Sequence, residues 1–225
     1  MIVYKKGWYS VCNCETLNLK LTKQNELVDD LAEQVKKYIF ILKKEEDEFT
    51  RYETIRKTWI RINTYNETEG LIQKKMPILR KFTFDYYRIQ NLIIFHSGIN
   101  KVLAIIRYLN NEFKSKINIP KSIDLKIFLN ELEKSSIKYT LIEGMIINHK
   151  LKGSSIGNFH FKNLTEQDYN DLFSQDDSYL SWIKLNVQGY SRNIDMILYL
   201  NGTFYQKRKD KMLSNVLEVY FNFLK

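Results

Sequence analysis

Residues 92–113 read LIIFHSGINKVLAIIRYLNNEF. Leu92, Phe95, Ile99, Val102, Ile106, Leu109 and Phe113 recur at intervals of three and four, so on a helix they line one apolar face. Lys101, Arg107, Asn110 and Glu112 fall on the other face and suit water. A helix this one-sided holds its shape only when the apolar face is buried against a neighbour. The stretch fixes a core and names no reaction.

The expected neighbour lies upstream. Between Trp8 and Glu69 there is neither glycine nor proline. Within that run Leu21, Val28, Val35, Leu42 and Phe49 are spaced by seven, and Leu31, Tyr38, Tyr52 and Trp59 form a second row, with Gln24, Glu45 and Arg56 as interruptions. Asp29, Asp30, Glu33, Lys36, Lys37, Lys43 and Lys44 fill the outside. This predicts a long helix from about Thr22 towards Trp59, paired with the 92–113 helix as an internal hairpin or closing with another chain as a coiled coil. Asn63–Gly70 (NTYNETEG) is a polar loop ending in glycine. Pro77 fits the first turn of the next helix, and Gly98 marks a bend within it. Residues 2–20 suit a short strand or hairpin.

Downstream, Asn118-Ile119-Pro120 ends the helical part, because the residue before a proline is pushed out of helical geometry. Ser122 is placed to cap a short helix carrying Ile123, Ile127, Phe128 and Leu132. The period then shortens. Residues 138–150 and 156–162 flank Lys152-Gly153-Ser154 as a hairpin, and Thr165 with Asp168 opens a helix by a capping-box pattern. Strands follow at about 179–188 and 193–206, where Ile183, Leu185 and Val187, then Ile194, Met196, Leu198 and Leu200, alternate. Asn201-Gly202 either kinks the last strand or turns it into a second hairpin, and Leu213, Val216, Leu217, Tyr220, Phe221 and Leu224 close the chain as an amphipathic helix. The expected fold is α+β: an N-terminal long-helix hairpin or coiled coil over 1–118, then a small antiparallel sheet with flanking helices over 119–225.

The formal net charge of +9 is uneven. Residues 60–135 carry 13 basic and 7 acidic groups, a net of +6, while the flanking segments carry +1 and +2. Only two alanines stand beside twenty asparagines, a bias that also inflates the lysine count. Cys12 and Cys14, the only cysteines, are too close for a comfortable disulfide and lack the second pair a zinc site needs, so they read as structural thiols. No signal-peptide pattern opens the chain and no apolar run is long enough to span a bilayer, which predicts a reducing, cytoplasmic setting with no membrane contact.

Two chemistries compete. Lys74, Lys75, Arg80 and Lys81 precede Phe82 and Phe84, and Lys207, Arg208, Lys209 and Lys211 follow Phe204 and Tyr205. Cations interleaved with rings hold nucleic acid by charge and stacking. The alternative is a metal-dependent nuclease centred on Asp195, with Gln206 and Lys207 on the neighbouring extended segment. It loosely resembles the restriction-type nucleases of the PD-(D/E)xK group, with Gln206 at the second acidic position and Arg208 in place of the lysine two residues on. The resemblance implies a carboxylate-held Mg²⁺. His96, His149 and His160 show no ligand spacing, and Asp168, Asp171, Asp176 and Asp177 lack the glycine and closing glutamate of a calcium loop. Phosphate-loop and nucleophile-elbow patterns are missing too. The sequence therefore predicts a non-catalytic assembly or interaction subunit that needs no cofactor. Its expected partners are a protein or a second copy through the helical seams, and nucleic acid through the basic middle.

Overall fold

Tyr38–Glu45 and Thr50–Asn66 are strands where the seven-residue spacing predicts helix as far as Trp59, and Gly70–Tyr87 is a strand where a helix is expected from Pro77. The computed structural model describes residues 7–22, 38–68, 70–120, 122–150, 156–163, 179–188, 193–207 and 211–223. In chain order the elements are β1 (Gly7–Thr16), β2 (Tyr38–Glu45), β3 (Thr50–Asn66), β4 (Gly70–Tyr87), β5 (Leu92–Phe95), α1 (Ile99–Phe113), β6 (Lys116–Asn118), α2 (Leu125–Lys134), β7 (Tyr139–Lys150), β8 (Ile156–Lys162), β9 (Tyr179–Gln188), β10 (Asn193–Tyr199), β11 (Thr203–Gln206) and α3 (Lys211–Asn222).

The fold is thus dominated by antiparallel sheet with three short helices among the described residues, and the expected N-terminal helical hairpin or coiled coil is not there. The physical reason is composition. Ten of the seventeen residues of β3 are β-branched or aromatic, side chains that lose rotamer freedom in a helix and pack well on a pleated surface. In β2, Tyr38, Ile39, Phe40 and Ile41 are four consecutive buried residues, a run that fits a strand buried on both faces. Residues 23–37, the rest of the expected long helix, lie outside the described residues.

The 92–113 seam also divides. Its first four residues form β5, all buried, and only the remainder is helix. Gly98, expected to bend a longer helix, is the N-cap of α1 in extended conformation. Lys114 ends α1 in the left-handed region, with its own N–H and that of Ser115 turned back to the Leu109 carbonyl. Pro77, expected in a first helical turn, sits within β4 opposite Trp59.

The chain forms two compact units. The first runs over Cys14–Ile117 and contains strands in the order β2-β3-β4-β5, each pair antiparallel. Val102, Ile105, Ile106 and Leu109 of α1 are buried in it, and the helix meets β2 through Tyr108, whose ring centroid lies 4.9 Å from that of Tyr38, and through Phe113, 5.9 Å from Phe40. Phe40, Phe84 and Phe95 continue the aromatic core. Burial pushes the Cys14 thiol up to about 12, so it is a buried neutral group, and Cys12 is buried as well.

The second unit joins Met1–Asn13 to Asn118–Lys225, with strand order β1-β11-β10-β9-β7-β8. The expected strands at 138–150, 156–162 and 179–188 appear as β7, β8 and β9. Of the two expectations for Asn201-Gly202 the hairpin is the one found: Leu200–Gly202 turns β10 back on β11, with Leu198 opposite Phe204. Gly202 makes this possible, since its φ is +79° and a Cβ there would sit 2.9 Å from the Val11 carbonyl oxygen. Ile183, Leu185, Val187, Ile194, Met196 and Leu198 form the buried face of the sheet. Phe128 of α2 meets Tyr220 of α3 edge to face at 5.7 Å, and the Tyr220 hydroxyl donates to the Tyr199 carbonyl at 2.7 Å. The cap of α2 is Asp124, not Ser122: its carboxylate accepts from the Lys126 and Ile127 N–H groups. The helix start at Thr165, the turn at 152–154 and the acidic cluster at 168–177 lie outside the described residues.

Candidate functional site

β3 and β4 pair over their whole length, from Thr50 opposite Tyr86 to Asn66 opposite Gly70. Their neighbours are much shorter. β2 pairs β3 only as far as Arg56, and β5 pairs β4 only from Phe84. Residues 57–66 and 70–82 therefore stand as a two-stranded ribbon without a third strand among the described residues. At about 3.4 Å per residue it extends roughly 30 Å. Gly70, with φ +71°, closes the turn.

The base of the ribbon is pinned by charge. Asp85 has a fully buried side chain. Its Oδ1 accepts from Arg51 Nε at 2.6 Å, its Oδ2 accepts from Arg51 Nη2 at 2.8 Å, and His96 Nε2 lies 2.9 Å from Oδ2. Burial alone would raise the Asp85 pKa. The hydrogen bonds and charges of Arg51 and His96 outweigh it and hold the carboxyl below its ordinary value. His96 is thus a part-buried imidazole with a carboxylate partner. Five residues further along β3, Arg56 stacks over the ring of its β2 partner Tyr38 at 4.9 Å and donates to the Tyr38 hydroxyl at 3.0 Å.

Register sorts the ribbon's side chains into two faces, because alternate residues share a face and directly opposed residues share it too. One face carries Lys57, Trp59, Arg61 and Tyr65 of β3 with Leu71, Lys75, Leu79 and Lys81 of β4. The other carries Arg56, Thr58, Ile60 and Ile62 with Ile72, Lys74, Met76, Ile78 and Arg80. The two faces differ in exposure. On the first, Trp59 is 50% exposed and Tyr65 76%, while Ile60, Ile62, Ile72 and Ile78 on the second are half-buried. Of the sequence-predicted cations, Lys75 and Lys81 share the open face, and Lys74 and Arg80 lie on the other. Lys57, Arg61, Trp59 and Tyr65 were missed, although their odd-numbered spacing is a strand signal.

Two pairs of the β3–β4 ladder oppose like charges, Arg61 with Lys75 and Arg56 with Arg80. Like charges directly opposed destabilise a ladder. Among the described residues Arg61, Lys74, Lys75, Arg80 and Lys81 make no ion pair, whereas Lys43, Lys44, Arg51 and Lys116 of the same unit do. Lys57 Nζ lies 5.9 Å from the Trp59 ring centroid. A surface depression of about 450 Å³ is lined by Trp59, Ile60, Arg61 and Lys75.

The residues expected of a nuclease lie in the second unit. Asp195 and Lys207 share a face, with Lys207 Nζ 3.7 Å from Asp195 Oδ2, Lys184 Nζ at 4.0 Å and the Asn186 amide donating to Oδ1 at 2.8 Å. Gln206 is buried opposite Met196, on the other face of the sheet from Asp195. Asp195 is thus held by two lysines and an amide, and its neighbouring carboxylate, Glu143, faces Lys184 and His160. Among the described residues no three His, Cys, Asp or Glu side chains gather as a metal group. Tyr205, Trp8, Tyr199, Trp182 and His160 form a row of rings across the same face, with successive centroids 5.0 to 6.4 Å apart. Arg208 and Lys209 lie outside the described residues, as do the side chains of Lys211 and His149. No helix among the described residues is long and apolar enough to cross a membrane.

No family model matches the chain, and the search of curated proteins finds no match.

Proposed function

We propose that this protein is a non-catalytic nucleic-acid-binding module whose contact surface is the open face of the β3–β4 ribbon. The observation that carries the reading is the grouping of Lys57, Arg61, Lys75 and Lys81 around exposed Trp59 and Tyr65 on one face of a strand pair that no third strand joins among the described residues. A polyanion neutralises such a face, relieves the opposed Arg61–Lys75 pair and releases counterions.

The test is titration of a fluorescent oligonucleotide at about 50 and 200 mM salt. Binding that weakens steeply with salt, and that falls with a shallower salt slope when Lys57, Arg61, Lys75 and Lys81 are all changed to glutamine, agrees with the proposal. Salt-insensitive binding, or an unchanged quadruple variant, removes it.

A further inference from the structure

The depression beside Trp59 has the chemistry of a single nucleotide unit. Arg61 and Lys75 face each other across the ladder and make no ion pair among the described residues. Trp59 lies two residues from Arg61 on the same strand and face, directly opposite Pro77. A proline has no N–H, so the ladder stays intact there only if Trp59 and Pro77 form a non-hydrogen-bonded pair. Pairs alternate along a ladder, so every pair on this face is of that close-set kind, Arg61 with Lys75 included. Two cations held this near each other lower their mutual repulsion when an anion sits between them.

What the indole takes follows from its exposure. Half its surface is open to water, and Lys57 and Lys75 flank it. A purine or pyrimidine face covers that surface by stacking, a contact worth about 1–3 kcal/mol per base. In a duplex the faces of each base are already occupied by the bases above and below. Only an unpaired base can lie on Trp59 without breaking a stack.

We infer that the ribbon selects single-stranded nucleic acid, with one phosphate held between Arg61 and Lys75 and the adjoining base stacked on Trp59. This rests on the proposed nucleic-acid reading and adds strand selectivity to it. Tyr65, exposed on the same face six residues further along β3, supplies a second ring about 20 Å away for the same strand.

The experiment compares a 20-nucleotide oligothymidylate with a 20-base-pair duplex at one salt concentration, using the full chain and its Trp59→Ala, Trp59→Phe and Arg61→Gln/Lys75→Gln variants. The expected result is tighter binding of the single strand, a loss of about 5- to 150-fold for it in Trp59→Ala, near-complete retention in Trp59→Phe, and little change for the duplex in either. Thermal unfolding of each variant guards against misfolding, and Trp59→Phe, which keeps a ring in the ladder, carries the result if alanine unfolds the ribbon. Equal binding of both forms, or a Trp59→Ala protein that holds the single strand as the parent does, overturns strand selectivity. If the quadruple glutamine variant still loses both forms in that case, the broader nucleic-acid reading survives. A parent protein that holds neither form ends both.

Discussion

Arg51 grips Asp85 with two parallel hydrogen bonds, 2.6 and 2.8 Å long, directly across the β3–β4 ladder at the root of the ribbon. The carboxylate is completely buried and the guanidinium about one-third exposed. Removing one partner of such a pair leaves a charge without its counterion in a poorly solvated site, at a cost of about 3–5 kcal/mol. Asp85→Ala is therefore expected to unfold the Cys14–Ile117 unit well below the parent's denaturation midpoint. Replacing both partners, Asp85→Leu with Arg51→Met, should recover much of that loss. A single Asp85→Ala change costing under about 1 kcal/mol would show that the pair does not anchor the hairpin.

The same carboxylate sets an acid limit. Its folded pKa lies below the ordinary aspartate value of about 3.9, because Arg51 and His96 favour the charged form more than burial opposes it. The unfolded chain then binds a proton at higher pH than the native one. The stabilisation is complete above about pH 5 and is lost as pH falls through 4 towards the folded pKa. Urea midpoints measured from pH 6 down to pH 2.5 should drop more steeply for the parent than for Asp85→Asn. The two curves should converge at the acid end. Parallel curves would mean that Asp85 titrates alike in the folded and unfolded chains.

The second unit's strands were readable because its sheet has a buried face and an open one, so β9 and β10 alternate in sequence as they do in burial. The ribbon's signal was weaker. Its β3 alternates only between exposed and half-buried side chains, so the period of two is shallow and the seven-residue spacing stood out more. Positions seven apart then matched a heptad by chance. Leu92–Phe95 failed for the opposite reason: buried all round, its unbroken apolar run suits helix and strand equally. The cations at 74, 75, 80 and 81 were legible as a cluster. Which of them act together was not, because face membership depends on the pairing of Arg61 with Lys75, fourteen residues away through a turn.

Gly202 ties the β10–β11 turn to β1. Its N–H and carbonyl both work, the carbonyl accepting from the Val11 N–H at 3.0 Å, and its φ of +79° leaves an L side chain strained. An added Cβ would also meet Pro120 Cγ at 2.8 Å. Gly202→Ala should lower stability by more than about 1 kcal/mol, read as a shifted urea midpoint with unchanged slope. Gly98→Ala is the control, since nothing lies within 4 Å of a Cβ there and its φ is negative. If both substitutions behave alike, the Gly202 geometry carries no constraint.

Asp195 offers the sharpest trial of the non-catalytic reading. Lys184, Lys207 and the Asn186 amide occupy its oxygens, and Gln206 points to the opposite face of the sheet. A carboxylate engaged this way is a charge balance for two lysines, and partly exposed pairs of this kind contribute about 0–1 kcal/mol. Asp195→Ala is expected to leave stability within that range and to leave oligonucleotide binding by the ribbon unchanged. Incubation with Mg²⁺ and labelled single- or double-stranded DNA or RNA should yield no cleavage by parent or variant. Cleavage by the parent that disappears in Asp195→Ala would make the second unit catalytic, with Lys207 as the group positioned to meet the phosphate.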